Sequence, residues 1–406
     1  MNNRVIGVFT GNRADYGLQL PILKAIEAEP TLDYQLIVSG AHLDSTFGRT
    51  IEEIQRDGFL IHSQIEIELD SSSNLGTAHA IGKGILAISE QLNKDRPDIL
   101  LVYGDRFECF AAVIAASQLN IPTAHVEGGD LTDGGALDDS IRHAITKLSH
   151  LHFSTNAQAS NRILAMGEED WRVHTVGLPS NDLISEGNFA SRKQVCENLN
   201  LDVARPIVLF TQHSVTTEIS KAGEQVQQSI NAIKRLADEG IQVIVTYPNN
   251  DAGGKAIIDR ISVLKSSKVD GIEVRESLGR YLYHGVLALS REEGIRIVCL
   301  GNSSSGLKET PFFGCPTINV GSRQNGRLRG RNVLDVDYSS DLIYEAVKKG
   351  LFDEEFRMIS RTTPNPYWLG FAGPKIANIL ASVPIDIALL QKKMTLLGEK
   401  KDGWYR

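Results

Sequence analysis

Acids and bases crowd into one short stretch, HVEGGDLTDGGALDDSIRHAITKLSH, residues 125–150. Glu127, Asp138 and Asp139 stand near two glycine pairs, and Arg142 and His143 follow. A turn needs no such mixture. A site that moves protons does, because its acid and base must sit within hydrogen-bond reach of the bond they serve. Asp138 and Arg142 are spaced i, i+4, as are Asp139 and His143. Ordinary helix ion pairs have that spacing too, but they leave Glu127 unaccounted for. Gly128 and Gly129 are expected to permit a sharp turn after Glu127. VYGDRFECF places Asp105 and Arg106 after another apolar run. Taken by itself, Asp105 reads as a helix N-cap.

A second group of residues suits an anion. FTGNRADYG carries Arg13 in the loop after the first apolar run, where a helix amino end attracts negative charge. FTQHSVTTEIS sets His213 directly after an apolar run, and histidine titrates near neutrality. In LGNSSSGLKETPFFG, Asn302 to Ser305 read as a turn and a helix begins near Gly306. The amides and hydroxyls of Ser303 and Ser304 can cradle a phosphate there. Glu309, one turn on, can accept from both hydroxyls of a ribose. NVGSRQNGRLRGRNVLDV carries Arg323, Arg327, Arg329 and Arg331 within nine residues. These can neutralise a diphosphate or hold a subunit interface, and Arg323 is the candidate for the ligand.

These loops need strands to carry them. RVIGVFT (4–10), YQLIVS (34–39), DILLVYG (98–104), IPTAHV (121–126) and LHFST (151–155) read as strands, with helical patterns between them. The alternation pauses over 177–206. It restarts at PIVLFTQ (206–212), IQVIVTYP (241–248), IRIVCLG (295–301), PTINVG (316–321) and NVLDV (332–336). Continuous apolar strands alternating with helices indicate parallel sheets covered on both faces. The expected fold is α/β, two doubly wound Rossmann-like domains. We place the first at 1–180, the second at 181–375 and a helical tail at 376–406 that packs back on the first. In such sheets ligands bind beyond the carboxyl ends of the strands, and two sets of ends can line one cleft.

A chain of 406 residues exceeds one ordinary core, consistent with two domains. The net charge of −8 argues against a nucleic-acid surface. No stretch approaches the ~20 apolar residues of a membrane span. Cys109, Cys196, Cys299 and Cys315 form no CxxC and read as reduced thiols, which points to the cytoplasm. No GxGxxG, P-loop, HExxH or cysteine–histidine spacing is present, so neither a nicotinamide cofactor nor a metal is expected.

The motifs GNRADYG, GDRFE, HVEGG, DDSIRHAITKLSHLHF, YPNNDAGG, GNSSSGLKE and GSRQNGR, in this order over about residues 4–375, resemble the hydrolysing UDP-N-acetylglucosamine 2-epimerases. The resemblance implies the glycosyltransferase-B fold with its active site in the interdomain cleft. It implies conversion of UDP-N-acetylglucosamine and water to N-acetylmannosamine and UDP for sialic-acid-type biosynthesis. The route is anti elimination of UDP to a 2-acetamidoglucal, then syn addition of water. By motif, Asp105, Glu127 and Asp138 match the catalytic carboxylates and His213 the cleft histidine. Arg13, Ser303, Ser304, Glu309 and Arg323 match UDP contacts, as do, more weakly, Arg106 and Asn249. A homodimer or homotetramer is implied as well.

Two segments depart from the sialic-acid members. GGDLTDGGAL, before Asp138, and SLGRYLYHGVLALSREEGIRIVCLGNSS are longer than usual. Both resemble the branch acting on UDP-N,N′-diacetylbacillosamine in legionaminic-acid synthesis. A retaining glycosyltransferase of the same fold and a non-catalytic UDP-sugar-binding regulator are the rival readings.

Overall fold

The computed structural model describes residues 3–43, 50–67, 74–131, 137–215, 217–249, 253–395, 400–401 and 404–405, without the side chains of Arg13, Ala14, Asn74, Leu137 and those from 400 onward. The chain forms two compact units. One comprises the residues up to Leu131, Leu137–Asp182 and those from Leu369 on; the other includes Leu183–Trp368.

The first unit is built on a parallel sheet of β1 (Arg4–Thr10), β2 (Leu32–Ser39), β3 (Ile61–Ile65), β4 (Ile99–Tyr103), β5 (Thr123–Val126), β6 (Leu151–Ser154) and β7 (Val173–Thr175). The spatial order is β3-β2-β1-β4-β5-β6-β7. The second sheet comprises β8 (Ile207–Thr211), β9 (Gln242–Thr246), β10 (Ile272–Arg275), β11 (Ile297–Gly301), β12 (Thr317–Val320) and β13 (Val333–Val336), in the order β10-β9-β8-β11-β12-β13. Both orders reverse direction once, at β1/β4 and at β8/β11. Such a switch point opens a crevice beyond the carboxyl ends.

The apolar strands are continuous because each serves two cores. Val208 and Phe210 of β8, with Val298 and Leu300 of β11, pack under the helices Ala222–Asp238, Gly254–Ser266 and Ser340–Phe352. The alternate residues Ile207, Leu209, Ile297 and Cys299 pack on the other face with Val195, Leu199 and Val286. Successive side chains of a strand point to opposite faces, so both faces of these strands call for apolar residues.

Residues 177–206 are not a plain linker. They contain the helices Ser180–Ser185 and Arg192–Leu199. The second is capped by Ser191 and Gln194 and buries Val195 and Leu199. The helix Ala372–Ser382 packs on the first unit's helix Arg13–Ala28. The Asp182 carboxylate accepts from the main chain of Ala372 (2.9 Å) and Gly373 (2.7 Å) at its amino end. Arg172, fully buried, donates to the carbonyls of Leu389 (2.8 Å) and Ala388 (2.6 Å) farther along the tail.

Candidate active site

In the first unit the adjacent strands β1, β4 and β5 deliver their loops to one edge of the sheet. Asp105 follows β4 and Glu127 follows β5. Asp105 is not a helix cap. The residue at the N-cap of the helix Phe107–Gln118 is Arg106, which makes no side-chain capping bond. Asp105 instead pairs with the guanidinium of Arg142. Arg142 is 3% exposed; it also bonds Asp139 at 2.6 Å and the Asp130 carbonyl at 2.9 Å. The helix ion pair is therefore the i, i+3 pair Asp139–Arg142. Asp138 lies half-buried in the first turn of the same helix, Leu137–Leu148. Arg142 thus joins the loop after β4 to the helix that carries Asp138.

The turn at HVEGG is made differently from the expectation. Glu127 itself takes a left-handed backbone, with φ of 67°, as does Gly129 at 75°. A non-glycine residue there stores local strain, which is common at functional sites. Gly128 is needed for space. A Cβ on it would lie 2.9 Å from both His125 Nδ1 and Thr146 Oγ1. His125 is buried, and its Nε2–H donates to the Gly104 carbonyl at 2.7 Å, because a carbonyl can only accept. Its Nδ1 meets Thr146 at 3.1 Å. Burial pushes its pKa down to about 3, so the ring is neutral.

Asp15 and Glu108 stand behind these groups. Glu108 is 1% exposed, and burial holds its carboxyl above the usual range against the charge of Arg106. Burial, then Glu108, raise Asp15 well above the carboxylate range. Asn12 holds Asp15 at 2.8 Å. Burial works against the charge of Arg106, but Glu108, whose Oε2 is 3.8 Å from its Nε, and Asp15 keep it protonated. The side chain of Arg13 lies outside the described residues.

In the second unit the loops after β8, β9, β11 and β12 converge. Gly301 ends β11 with φ of 122°, and a Cβ there would lie 1.9 Å from the Thr211 carbonyl oxygen of β8. Only glycine fits. Asn302, fully buried, takes both main-chain groups of His213. The carbonyl of Asn302 accepts from Arg323 at 3.1 Å and from Gln324 at 2.8 Å. His213 Nδ1 lies 3.0 Å from Asn249. Ser303 and Ser304 are half-buried at the start of the four-residue helix Ser305–Lys308. Glu309 follows it, its Oε2 bonded by Ser305 at 2.6 Å and His284 at 3.2 Å. Burial would raise its pKa, but His284 and Ser305 hold it below the usual range.

Two of the four arginines near β12 have internal work. Arg327 donates to the Gln324 side chain at 2.8 Å. Arg329 donates to the Gln324 carbonyl at 2.6 Å and pairs with Asp335. They shape the loop that carries Arg323. From sequence, Arg142 and Asn302 carry only a helix-pair and a turn role, and Asp15, Glu108, His125, Gln324 and His284 carry none. All of them lie inside the motif stretches above; their apparent roles hid the first two, and the others carried no local signal of their own. Among the described residues, no group of three or more potential ligands could hold a metal ion, and no helix is long and apolar enough to cross a membrane.

Comparison with known proteins agrees with this architecture. Residues 24–381 match the family model described as UDP-N-acetylglucosamine 2-epimerase. The chain is 35% identical over 391 residues to UDP-N,N′-diacetylbacillosamine 2-epimerase (hydrolyzing) of Legionella pneumophila, covering 96% of this chain and 98% of that one. It is 34% identical to UDP-N-acetylglucosamine 2-epimerase of Neisseria meningitidis, over 84% of this chain and 85% of the relative. A crystal structure of UDP-GlcNAc 2-epimerase from Neisseria meningitidis, bound to UDP-GlcNAc, superposes with a TM-score of 0.76 at 19% identity, over 93% of this chain and 99% of that one. Two parallel doubly wound sheets of the glycosyltransferase-B type, together with the family match over most of the length, show that the chain belongs to the UDP-N-acetylglucosamine 2-epimerase family.

Proposed function

We propose that the chain is a hydrolysing 2-epimerase of a UDP-2-acetamido sugar. The observation that carries this reading is that Asp105 pairs with Arg142 and Glu127 lies in its field beyond the carboxyl ends of adjacent strands, with Asp138 in the first turn of the helix that carries Arg142. The C2 proton of the sugar has no neighbouring carbonyl to acidify it. Its loss must accompany departure of the diphosphate from C1. A carboxylate base takes the C2 proton, the C2–H electron pair forms the C1=C2 bond, and the C1–O pair leaves on UDP. Water then adds, its oxygen to C1 and a proton to the opposite face of C2, giving the 2-epimer as a free sugar. Asp105, Glu127 and Asp138 are the acid–base groups of these two steps. Arg142 sets the direction of Asp105, and the neutral His125 holds the Gly104 turn in front of it.

The second unit takes the nucleotide. Arg323, Ser303 and Ser304 bind the diphosphate, Glu309 accepts from the ribose, and His213 donates to the departing charge. Arg106 and Arg13 add positive charge in the first unit.

Two sugars compete. The similarity to the diacetylbacillosamine enzyme runs over 96% of this chain, and that to the N-acetylglucosamine enzyme over 84%. The greater extent favours UDP-N,N′-diacetylbacillosamine, and the near-equal identities keep UDP-N-acetylglucosamine as the second reading. An NMR time course with each UDP-sugar and no acceptor tests both. UDP and a free 2-epimeric sugar are expected from one of them. A transferase releases little UDP without an acceptor, so an inert mixture with both sugars would end the epimerase reading.

A further inference from the structure

We propose that Asn249 is a positioning residue, which holds the His213 ring in one orientation through a change in its protonation. The catalytic consequence rests on the epimerase reading; the contact itself does not.

Asn302 already fixes the main chain of His213 on both sides, at 2.6 and 2.9 Å. Only rotation of the side chain is left to set the ring. Its Nδ1 lies 3.0 Å from the main-chain nitrogen of Asn249 and 3.0 Å from the Oδ1 of the same residue. An N–H can only donate and an amide oxygen can only accept. One ring nitrogen cannot satisfy both at once, but it can satisfy each in turn. A neutral ring with its proton on Nε2 has a lone pair at Nδ1 and takes the Asn249 N–H. An imidazolium has a proton at Nδ1 and gives it to Oδ1. The ring keeps its place in both states, and Nε2 carries an N–H in both.

That is what a developing anion needs. A donor fixed before the charge appears stabilises it without reorganisation. In the proposed elimination the charge appears on the diphosphate, and the proton stays on Nε2. Asn249 therefore acts through His213, a role beside the sugar-nucleotide contact that the family motif implies.

Other charges surround this loop. Arg323 is held on the Asn302 carbonyl, and Glu218, farther along the His213 loop, is bonded by Gln225. The Tyr338 phenol lies within the field of both. Asp251 lies outside the described residues. None of these groups differs among the variants below.

The test is a nucleotide-free NMR titration of the full chain with ¹⁵N-labelled histidine, the His213 signals assigned by their loss in His213→Asn. The neutral ring is expected to be the Nε2–H tautomer. Asn249→Ala keeps the main-chain donor and loses the acceptor, so the His213 midpoint falls by about half a pH unit or more. Asn249→Asp keeps an acceptor and adds charge, so the midpoint rises, since a bond to the charged form favours it. The corresponding limb of the kcat–pH profile moves the same way. Unmoved midpoints in both variants, or an Nδ1–H neutral ring, would overturn the proposal. Midpoints that shift as expected in a protein that releases UDP from neither sugar would support the positioning role while ending the epimerase reading.

Discussion

Asn302 holds the main chain of His213 as a neighbouring strand would: Oδ1 accepts the His213 N–H at 2.6 Å, and Nδ2 donates to its carbonyl at 2.9 Å. The β8–β11 pairing ends at Thr211 opposite Gly301. One side chain prolongs it past the last strand residue. Asn302→Ala is expected to leave both groups unpaired and to destabilise the second unit by about 1–3 kcal/mol. The Asn302 carbonyl survives the substitution, so Arg323 and Gln324 keep their acceptor. Turnover should therefore fall further than UDP affinity. Urea unfolding, with calorimetry and steady-state kinetics, separates the two effects.

Asp105→Asn, Glu127→Gln and Asp138→Asn are each expected to lower turnover by ~10²-fold or more, the scale of a lost acid–base group. UDP binding should survive in all three. Asp105→Asn also takes one partner from a buried guanidinium, and Asp139 and the Asp130 carbonyl remain to hold it. The Asn variant should therefore fold. Near-normal turnover in any one of the three would remove that residue from the acid–base set.

Arg323→Ala and Glu309→Ala are expected to weaken UDP binding by roughly 10-fold or more, in line with the loss of a charge-assisted bond. The chemical step should change less. His284→Leu should follow Glu309→Ala in direction with a smaller effect, because Ser305 still holds the carboxylate at 2.6 Å. Calorimetric titration with UDP checks this. Unchanged affinity in both Arg323→Ala and Glu309→Ala would take the nucleotide away from these residues.

Most strands legible from sequence are buried on both faces; β13, a half-exposed edge strand with the mostly apolar run VLDV, is the exception. Val208 to Phe210 and Leu100 to Val102 are apolar without interruption, and nothing but a covered sheet explains that. The strands missed, β3, β7 and β10, all lie at sheet edges. IHSQI and IEVR are half-exposed and carry polar residues, and VHT is three residues long. The site was legible as residue types following strands. Its wiring was not. The bond between Asp105 and Arg142 spans 37 positions and that between Asn302 and His213 spans 89. Such pairings follow from strand order, which no local pattern encodes. The same holds for His284, which stands 25 positions before its partner Glu309.

Acid should destabilise the first unit well above the usual carboxylate range. Burial depresses His42, His150 and His152 to about 4 and His125 to about 3. A histidine in an unfolded chain titrates near 6.5. Between these values the unfolded state binds more protons, so stability rises with pH and is lost as pH falls from about 6.5 toward 4. At pH 5 the effect is on the order of 2 kcal/mol for each ring. Glu168, which burial would raise but His152, Lys147 and Lys392 bring down to about 2, adds a further loss below about 4.5. Asp15 and Glu108 oppose this, since their raised pKa values let the folded state keep protons there. His143 and His174 of this unit are depressed as well, so six rings stand against two acids, and a net loss toward acid is the expected outcome. Denaturant midpoints at pH 7.5 and pH 5 should differ clearly, and equal midpoints would overturn the expectation.

The last expectation concerns the hydrogen at C2. Elimination sends the C2 proton to a carboxylate, and hydration brings another to the opposite face. In heavy water the product sugar should therefore carry one solvent deuteron at C2, seen as loss of the H2 signal and collapse of its coupling to H1. Inversion at this centre has another chemical route, oxidation at a neighbouring carbon by a bound nicotinamide. The loop after β1, GNRADYG, lacks the GxGxxG that dinucleotide binding uses. It brings Asp15, buried and held by Asn12, to the edge of the sheet where Asp105 and Glu127 follow β4 and β5. The chemistry expected there is transfer of protons rather than hydride. The two routes also differ in the glycosidic bond: elimination frees UDP at each turnover, and oxidation at a neighbouring carbon leaves it attached. Full retention of protium at C2, with the UDP-sugar bond intact in the product, would exclude elimination. One deuteron for each UDP released would show that the C2 hydrogen passes through solvent-exchangeable groups in both steps, as the carboxylate assignment requires.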